Sequence, residues 1–237
     1  MRDRRLWIAA GLLLLSITVF LWRASKAQCW TLVGDAVCHV ETTQRVVALS
    51  FDDGPTPDGI DFILPELQMR GVQATFFLIG NRMEHWPGQA RRLAAAGMEV
   101  GNHSYSHKRM IGSSEAHYDG EIARTEALLR REGVPASGLF RPPFGKKLIG
   151  LPRSVSRAEL RLIMWDVADD LAHHPTTEDY ANDILQRVRP GSIILIHPMY
   201  FHNRVERAAI PLVLDGLAAR GYRIVTVGQL LRMDHPK

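Results

Sequence analysis

The sequence predicts an α/β fold, with parallel strands joined through amphipathic helices and arranged as a barrel or an open doubly wound sheet. Two observations predict it. From Val46 onward, short runs rich in β-branched and aromatic residues alternate with longer stretches of helical periodicity. The side chains able to carry chemistry also gather near those runs: Asp52 and Asp53 end the first, His103 and His107 follow the third, Arg141 closes the fourth, Asp166 falls in the fifth and His197 ends the sixth. The C-terminal rim of an α/β barrel is where such residues meet.

Taken in order, strands are expected at 46–51, 74–79, 98–101, 139–141, 162–167, 192–197 and 223–227. Helices are expected between them at 59–69, 88–96, 114–132, 178–188 and 205–219. Gly71, Gly97, Gly133 and Gly221 follow four of these helical stretches, where a left-handed residue ends a helix, and Pro190-Gly191 punctuates the other. A chain of 237 residues with 46% apolar content supplies one domain with a full core.

Ahead of that domain, residues 6–22 contain no ionisable side chain and place Trp7 and Trp22 near their two ends. This is the pattern of a membrane helix with interfacial aromatic anchors. Arg2, Arg4 and Arg5 precede it and, by the positive-inside tendency, keep the N-terminus in the cytoplasm and send the rest across. The expected layout is a cytoplasmic N-terminus (1–5), an uncleaved transmembrane anchor (6–22), a stalk (23–44) and an extracytoplasmic domain (45–237). A secretory signal cut after Ala27 is the competing reading, and it exports the domain equally. Cys29 and Cys38 are the only cysteines, and in an oxidising compartment a disulfide closing their short loop is expected.

The net charge of +4 does not point to nucleic acid. Up to Lys26 the chain holds five basic residues against Asp3 alone, so the whole excess sits around the anchor and the domain beyond is neutral. A neutral domain lacks the electrostatic footprint of a nucleic-acid binder.

Asp52-Asp53-Gly54-Pro55 sets two carboxylates at a strand end before a sharp turn, where both can reach one cavity. One can hold a cation while the other takes a proton from water. His103 and His107 are spaced as on one face of a helical turn. Two imidazoles and one carboxylate leave a coordination position open, which is the ligand pattern of a catalytic rather than a structural zinc. His197 ends an apolar strand at the rim, a position suited to a general acid, and Arg141 opens the rigid turn RPPFG.

SFDDGP, HSYSH, RPPFG, WDVADD and LIH occur in the order and rough spacing of the polysaccharide deacetylases, carbohydrate esterase family 4, whose domain is the NodB homology domain. From about Val46 to Leu231 the chain resembles that family. The resemblance implies a distorted seven-stranded (β/α) barrel that removes acetyl groups, usually from N-acetylglucosamine units of a polysaccharide or oligosaccharide. It implies a divalent metal, with zinc preferred, although cobalt or nickel suit the same donors. Asp53, His103 and His107 correspond to the metal ligands, Asp52 to the general base, Arg141 to the residue that orients Asp52, and His197 to the acid that protonates the departing amine. Phe144 corresponds to the residue whose backbone N–H holds the oxyanion, and Leu195 to the apolar contact for the acetyl methyl.

Two departures bear on substrate choice. Where the family has an Asp followed by an aromatic residue, WDVADDL offers Asp166, Asp169 and Asp170 with Leu171 next, and Asp170 is favoured as the support of His197. Pro198 stands where the family commonly has Asp. The alternatives are an esterase or amidase of another acylated substrate on the same barrel, or a non-catalytic glycan-binding envelope protein. Retention of Asp52 and His197 argues against the last, because binding alone needs neither a base nor an acid.

Overall fold

The computed structural model describes residues 2–168 and 176–233. In chain order the elements are α1 (Arg2–Lys26), β1 (Ala36–Val37), β2 (Val46–Gly54), α2 (Pro57–Met69), β3 (Thr75–Leu78), α3 (Gly80–His85), α4 (Gln89–Ala95), β4 (Glu99–Asn102) and α5 (Glu115–Arg131). After them come β5 (Leu139–Phe140), α6 (Gly150–Arg157), β6 (Arg161–Ile163), β7 (Val167–Ala168), α7 (Thr177–Arg187), β8 (Ile193–Ile196), α8 (Arg204–Ala219), β9 (Arg223–Val225) and α9 (Val227–Leu231).

Among the described residues the strands form one sheet in the order β1-β6-β5-β4-β3-β2-β8-β7, with β9 also on β2. All of the strand pairings are parallel. The run expected as a single strand at 162–167 is divided. Its first part, β6, pairs with β5 and β1, and its second part, β7, pairs with β8. One continuous segment therefore supplies strands near both ends of the sheet order and curls the sheet into the expected distorted (β/α) barrel. Asp166 makes the division: its N–H donates to the Ile193 carbonyl (3.3 Å), while its carboxylate accepts from Ile193 N–H (2.9 Å) and Ser192 Oγ (3.0 Å).

Side-chain alternation on β2 separates two apolar layers. Val47, Leu49 and Phe51 pack outward against Ile60, Ile63 and Leu67 of α2 and Val213 and Leu217 of α8. Val46 and Ala48 face inward with Phe77, Leu139, Ile163 and Ile193. Each such aliphatic or aromatic side chain withdrawn from water contributes roughly 1.5–3 kcal/mol. Thr56 starts α2 as its N-cap, accepting from Gly59 N–H at 3.1 Å, so the helix begins ahead of the expected residue 59. The strand expected to reach 227 stops at Val225, because Thr226 and Gln229 form a capping box that opens α9. The short helices α3, α6 and α9 lie outside the expected set.

The stalk assignment needs correction. Residues 36–40 belong to the domain: Ala36 and Val37 pair with Leu162 and Ile163, and Val40 is buried in the inward apolar cluster. Gly191 makes room for this docking. It has a φ of +85°, donates nothing through a side chain, and a Cβ there would sit 1.8 Å from the Val40 carbonyl oxygen. Cys29 and Cys38 form the expected disulfide, with a Cα separation of 5.0 Å.

Helix α1 is long and apolar enough to cross a membrane: the candidate span runs from Arg4 to Lys26, and its 18-residue apolar window is not buried against the domain. Its last turn packs on the barrel. Ala24 and Ser25 are buried, the Ser25 carbonyl accepts from Lys147 N–H at 3.3 Å, and the Lys147 ammonium donates to the Ala27 carbonyl.

Candidate active site

Strand β2 delivers both carboxylates. Ser50 and Asp52 follow Val46 and Ala48 on the inward face, while strict alternation would send Asp53 outward with Phe51. Asp53 instead takes a left-handed φ of 70°, and the β2–β3 register slips between Phe51 and Gly54. Both carboxylates therefore turn to the same end of the lumen.

The histidine segment is not the helical turn that its spacing suggested. His103 directly follows β4, and the chain then runs through a loop with left-handed φ at Ser104 (63°) and His107 (56°). Side chains fix this loop. Asn102 Oδ1 accepts from Ser104 N–H (2.9 Å), Ser104 Oγ accepts from His107 N–H (3.1 Å), and the Glu121 carboxylate on α5 accepts from the N–H groups of Tyr105 (3.1 Å) and Ser106 (2.8 Å).

The two imidazoles then face Asp53. Its Oδ1 lies 3.0 Å from His107 Nε2 and 3.5 Å from His103 Nε2. His103 Nδ1 donates to the Arg141 carbonyl at 2.8 Å, which leaves its Nε2 as a lone-pair donor toward the carboxylate. Asp53 Oδ1 is buried with no hydrogen-bond partner. Burial works to raise the Asp53 carboxyl, but the adjacent His103 and His107, with His197 further off, outweigh it and hold the group well below the usual carboxylate range. One ligand atom from each of Asp53, His103 and His107 lies within 4.8 Å of the others. An ionised carboxylate and imidazole nitrogens converging with an orphaned oxygen at the centre fit a divalent cation, and a bond from the far ring N–H to a backbone carbonyl, as His103 makes to Arg141, is the usual support of a metal-ligating histidine.

Arg141 crosses the lumen from the loop after β5 and is fully buried. It donates to Asp52 Oδ1 (2.8 Å), Ser50 Oγ (2.9 Å) and the Met164 carbonyl (3.1 Å), and its guanidinium lies over the Phe77 ring at 4.1 Å. Burial pulls the guanidinium below its ordinary pKa, and the Asp52 charge opposes this. Asp52 is 2% exposed, with Oδ2 3.6 Å from His103 Nε2.

His197 follows β8, whose Ile196 pairs with Phe51, so it stands beside the Asp52 end of β2 and its charge is felt at Asp53. Leu195 is buried in β8 in register with Ser50. Phe144 lies at the rim with a left-handed φ of 58°, and its ring packs in a tilted arrangement on His107 at 4.8 Å between centroids. Asp166 is held at the opposite end of β8 and is excluded as the support of His197. Asp169 and the favoured Asp170 lie outside the described residues.

The sequence profile described as "Polysaccharide deacetylase" matches residues 39–163. The chain belongs to the polysaccharide deacetylase family. A peptidoglycan-N-acetylglucosamine deacetylase of Bacillus cereus is 31% identical over 189 residues, covering 78% of this chain and 68% of that protein. A chitooligosaccharide deacetylase of Azorhizobium caulinodans is 29% identical over 200 residues, covering 78% of this chain and 94% of that protein. A crystal structure of a peptidoglycan N-acetylglucosamine deacetylase superposes with a TM-score of 0.79 at 29% identity, covering 85% and 95% of the two chains. The assignment to the hydrolases of this deacetylase family therefore stands.

In this family member several supporting residues escaped the sequence reading. Ser50, Asn102 and Glu121 hold Arg141 and the histidine loop without themselves reaching the cation pocket. Tyr200, whose hydroxyl is shifted up by burial and by the Asp53 charge, accepts from Arg82 at 3.1 Å. With Trp86 and His107 they line a groove of about 490 Å³ beside the site. The only signal for Glu121 is its place on α5 just after the histidine segment, and that becomes informative once the loop is known to fold back on the helix.

Proposed function

We propose that this protein is a membrane-anchored, metal-dependent deacetylase that removes acetyl groups from an N-acetylated glycan outside the cytoplasm. The observation that carries the reading is the buried, unpartnered Asp53 Oδ1 set against two imidazole nitrogens. Asp53, His103 and His107 would hold the cation, and zinc suits this mixed imidazole and carboxylate set. When bound, the cation supplies Lewis-acid polarisation of the attacking water and of the acetyl carbonyl.

Asp52 acts as the general base. Arg141 occupies its Oδ1 and leaves Oδ2 to take the proton. The Phe144 N–H and the buried Leu195 stand for the oxyanion donor and the acetyl-methyl contact, and His197 gives a proton to the departing amine, with Asp170 as its support. The groove with Trp86 and Tyr200 offers aromatic faces to the sugar rings flanking the reacting unit. Support for a glycan substrate comes from the relatives, which are named for peptidoglycan and chitooligosaccharide.

Support for anchoring and export comes from the apolar α1, the arginines ahead of it and the disulfide. The test is acetate release from acetylated glucosamine oligomers and from peptidoglycan by the zinc-loaded full chain, with the product assayed as amine or alcohol. Activity abolished by chelator, and kcat lowered about 10²–10⁴-fold in His197→Ala, is expected. Full activity in both conditions would overturn the assignment.

A further inference from the structure

A cluster of cations beside the rim has no part in the proposed chemistry. A groove of about 530 Å³ opens between the last turns of α1 and the loops at 109–111 and 146–148. Its walls include Leu21, Ile111 and Leu148, and Lys26, Arg109 and Lys146 converge on it. Among the described residues no carboxylate pairs with any of the three. Lys26 folds back over the Trp22 ring at 3.5 Å, and Arg109 lies over the Phe144 ring at 5.4 Å. Burial, then the charges of Lys26 and Arg109, hold the Lys146 ammonium below its ordinary value, as expected where cations gather without a counter-charge.

We propose that this face docks onto anionic phospholipid headgroups of the membrane that α1 enters, and so sets the candidate active-site rim against the lipid surface. Continuity with α1 argues for a lipid occupant. Leu21 and Trp22 end the apolar span, so the groove begins at headgroup level, where tryptophan settles and basic residues meet lipid phosphate. Charge complementarity argues for an anionic lipid. The docking is also built into the fold, because Lys147 ties its own loop to the helix end through the Ser25 and Ala27 carbonyls. Arg109 leads through the Phe144 ring to His107, so the same contact that meets the lipid borders the cation pocket.

This inference rests on α1 being a retained anchor and is independent of the deacetylation. The full chain, whose native cysteines are paired, takes a bimane label on Ile111→Cys. A second label on Met69→Cys marks the far end of the barrel, where α2 terminates. Both are reconstituted in phosphatidylcholine vesicles with or without phosphatidylglycerol, carrying a headgroup spin-labelled lipid as quencher. Quenching at 111 is expected to rise with phosphatidylglycerol, to fall in high salt, and to lose that increment in Lys26→Gln/Arg109→Gln/Lys146→Gln, whose unfolding midpoint reports that the fold is kept. The label at 69 stays unquenched throughout. Flotation with vesicles but equal quenching in both lipids, or an increment kept by the triple variant, overturns the docking alone. Failure to float with either vesicle overturns the anchor and the docking together.

Discussion

Asp52 is both the proposed base and half of a buried ion pair, and substitution separates the two roles. Asp52→Asn keeps an acceptor for Arg141 and should abolish acetate release at modest cost in stability. Asp52→Ala leaves a guanidinium uncompensated in the lumen, a loss of about 3–5 kcal/mol, read from the urea midpoint. Equal midpoints for the two variants would contradict the pairing. Lys147 offers a second test at this scale. Its side chain is enclosed, and burial, aided by Lys146, pushes its ammonium down to about 8. Between about 8 and the ordinary lysine value the unfolded chain binds more protons than the folded one, so stability from this group rises with pH there, and below that window the full cost of the buried charge applies. The stability gap between the wild type and Lys147→Met, followed by thermal unfolding in detergent, should therefore shift in favour of the wild type as pH climbs through the window. A gap independent of pH would contradict it. The identities of Asp52, Asp53 and Arg141 were legible as residue types at strand ends. The left-handed backbone that swings Asp53 inward was not, since no glycine marks the position and local propensity disfavours it.

The loop from His103 to His107, which would supply two of the cation's donors, is held by hydrogen bonds that Glu121 accepts. Removing that carboxylate by Glu121→Ala leaves α5 intact but frees the loop, and zinc affinity should fall about 10–100-fold, as for other supports of metal ligands. Isothermal titration checks this, and unchanged affinity would show that the loop holds itself. A spacing of four residues is satisfied equally by a helical turn and by a loop with left-handed residues at Ser104 and His107, so the sequence announced the pair but not its backbone. Longer elements such as α2, α5 and α8 were legible because their apolar faces repeat over several turns. The short α3, α6 and α9 carry too few residues for periodicity to register.

At the scale of the whole molecule, the segment around the disulfide joins α1 to the barrel by more than a tether. β1 extends the sheet beyond β6, Val40 enters the core, and Lys147 grips the end of α1. A stalk was expected because two-residue strands and single buried valines leave no periodic trace, and their partners lie more than a hundred residues away in the chain. The division of the run into β6 and β7 was hidden for the same reason: the sequence displays one strand, and only the pairing partners reveal two. The account as a whole stands on one cation held by Asp53, His103 and His107. Titrating the metal-free full chain with cobalt(II) and following its visible d–d absorption tests that directly. One equivalent should bind with an intense band that survives in Asp52→Asn and disappears in both Asp53→Ala and His107→Ala. Absence of the band in the wild type, or its persistence in those two ligand variants, would contradict the account.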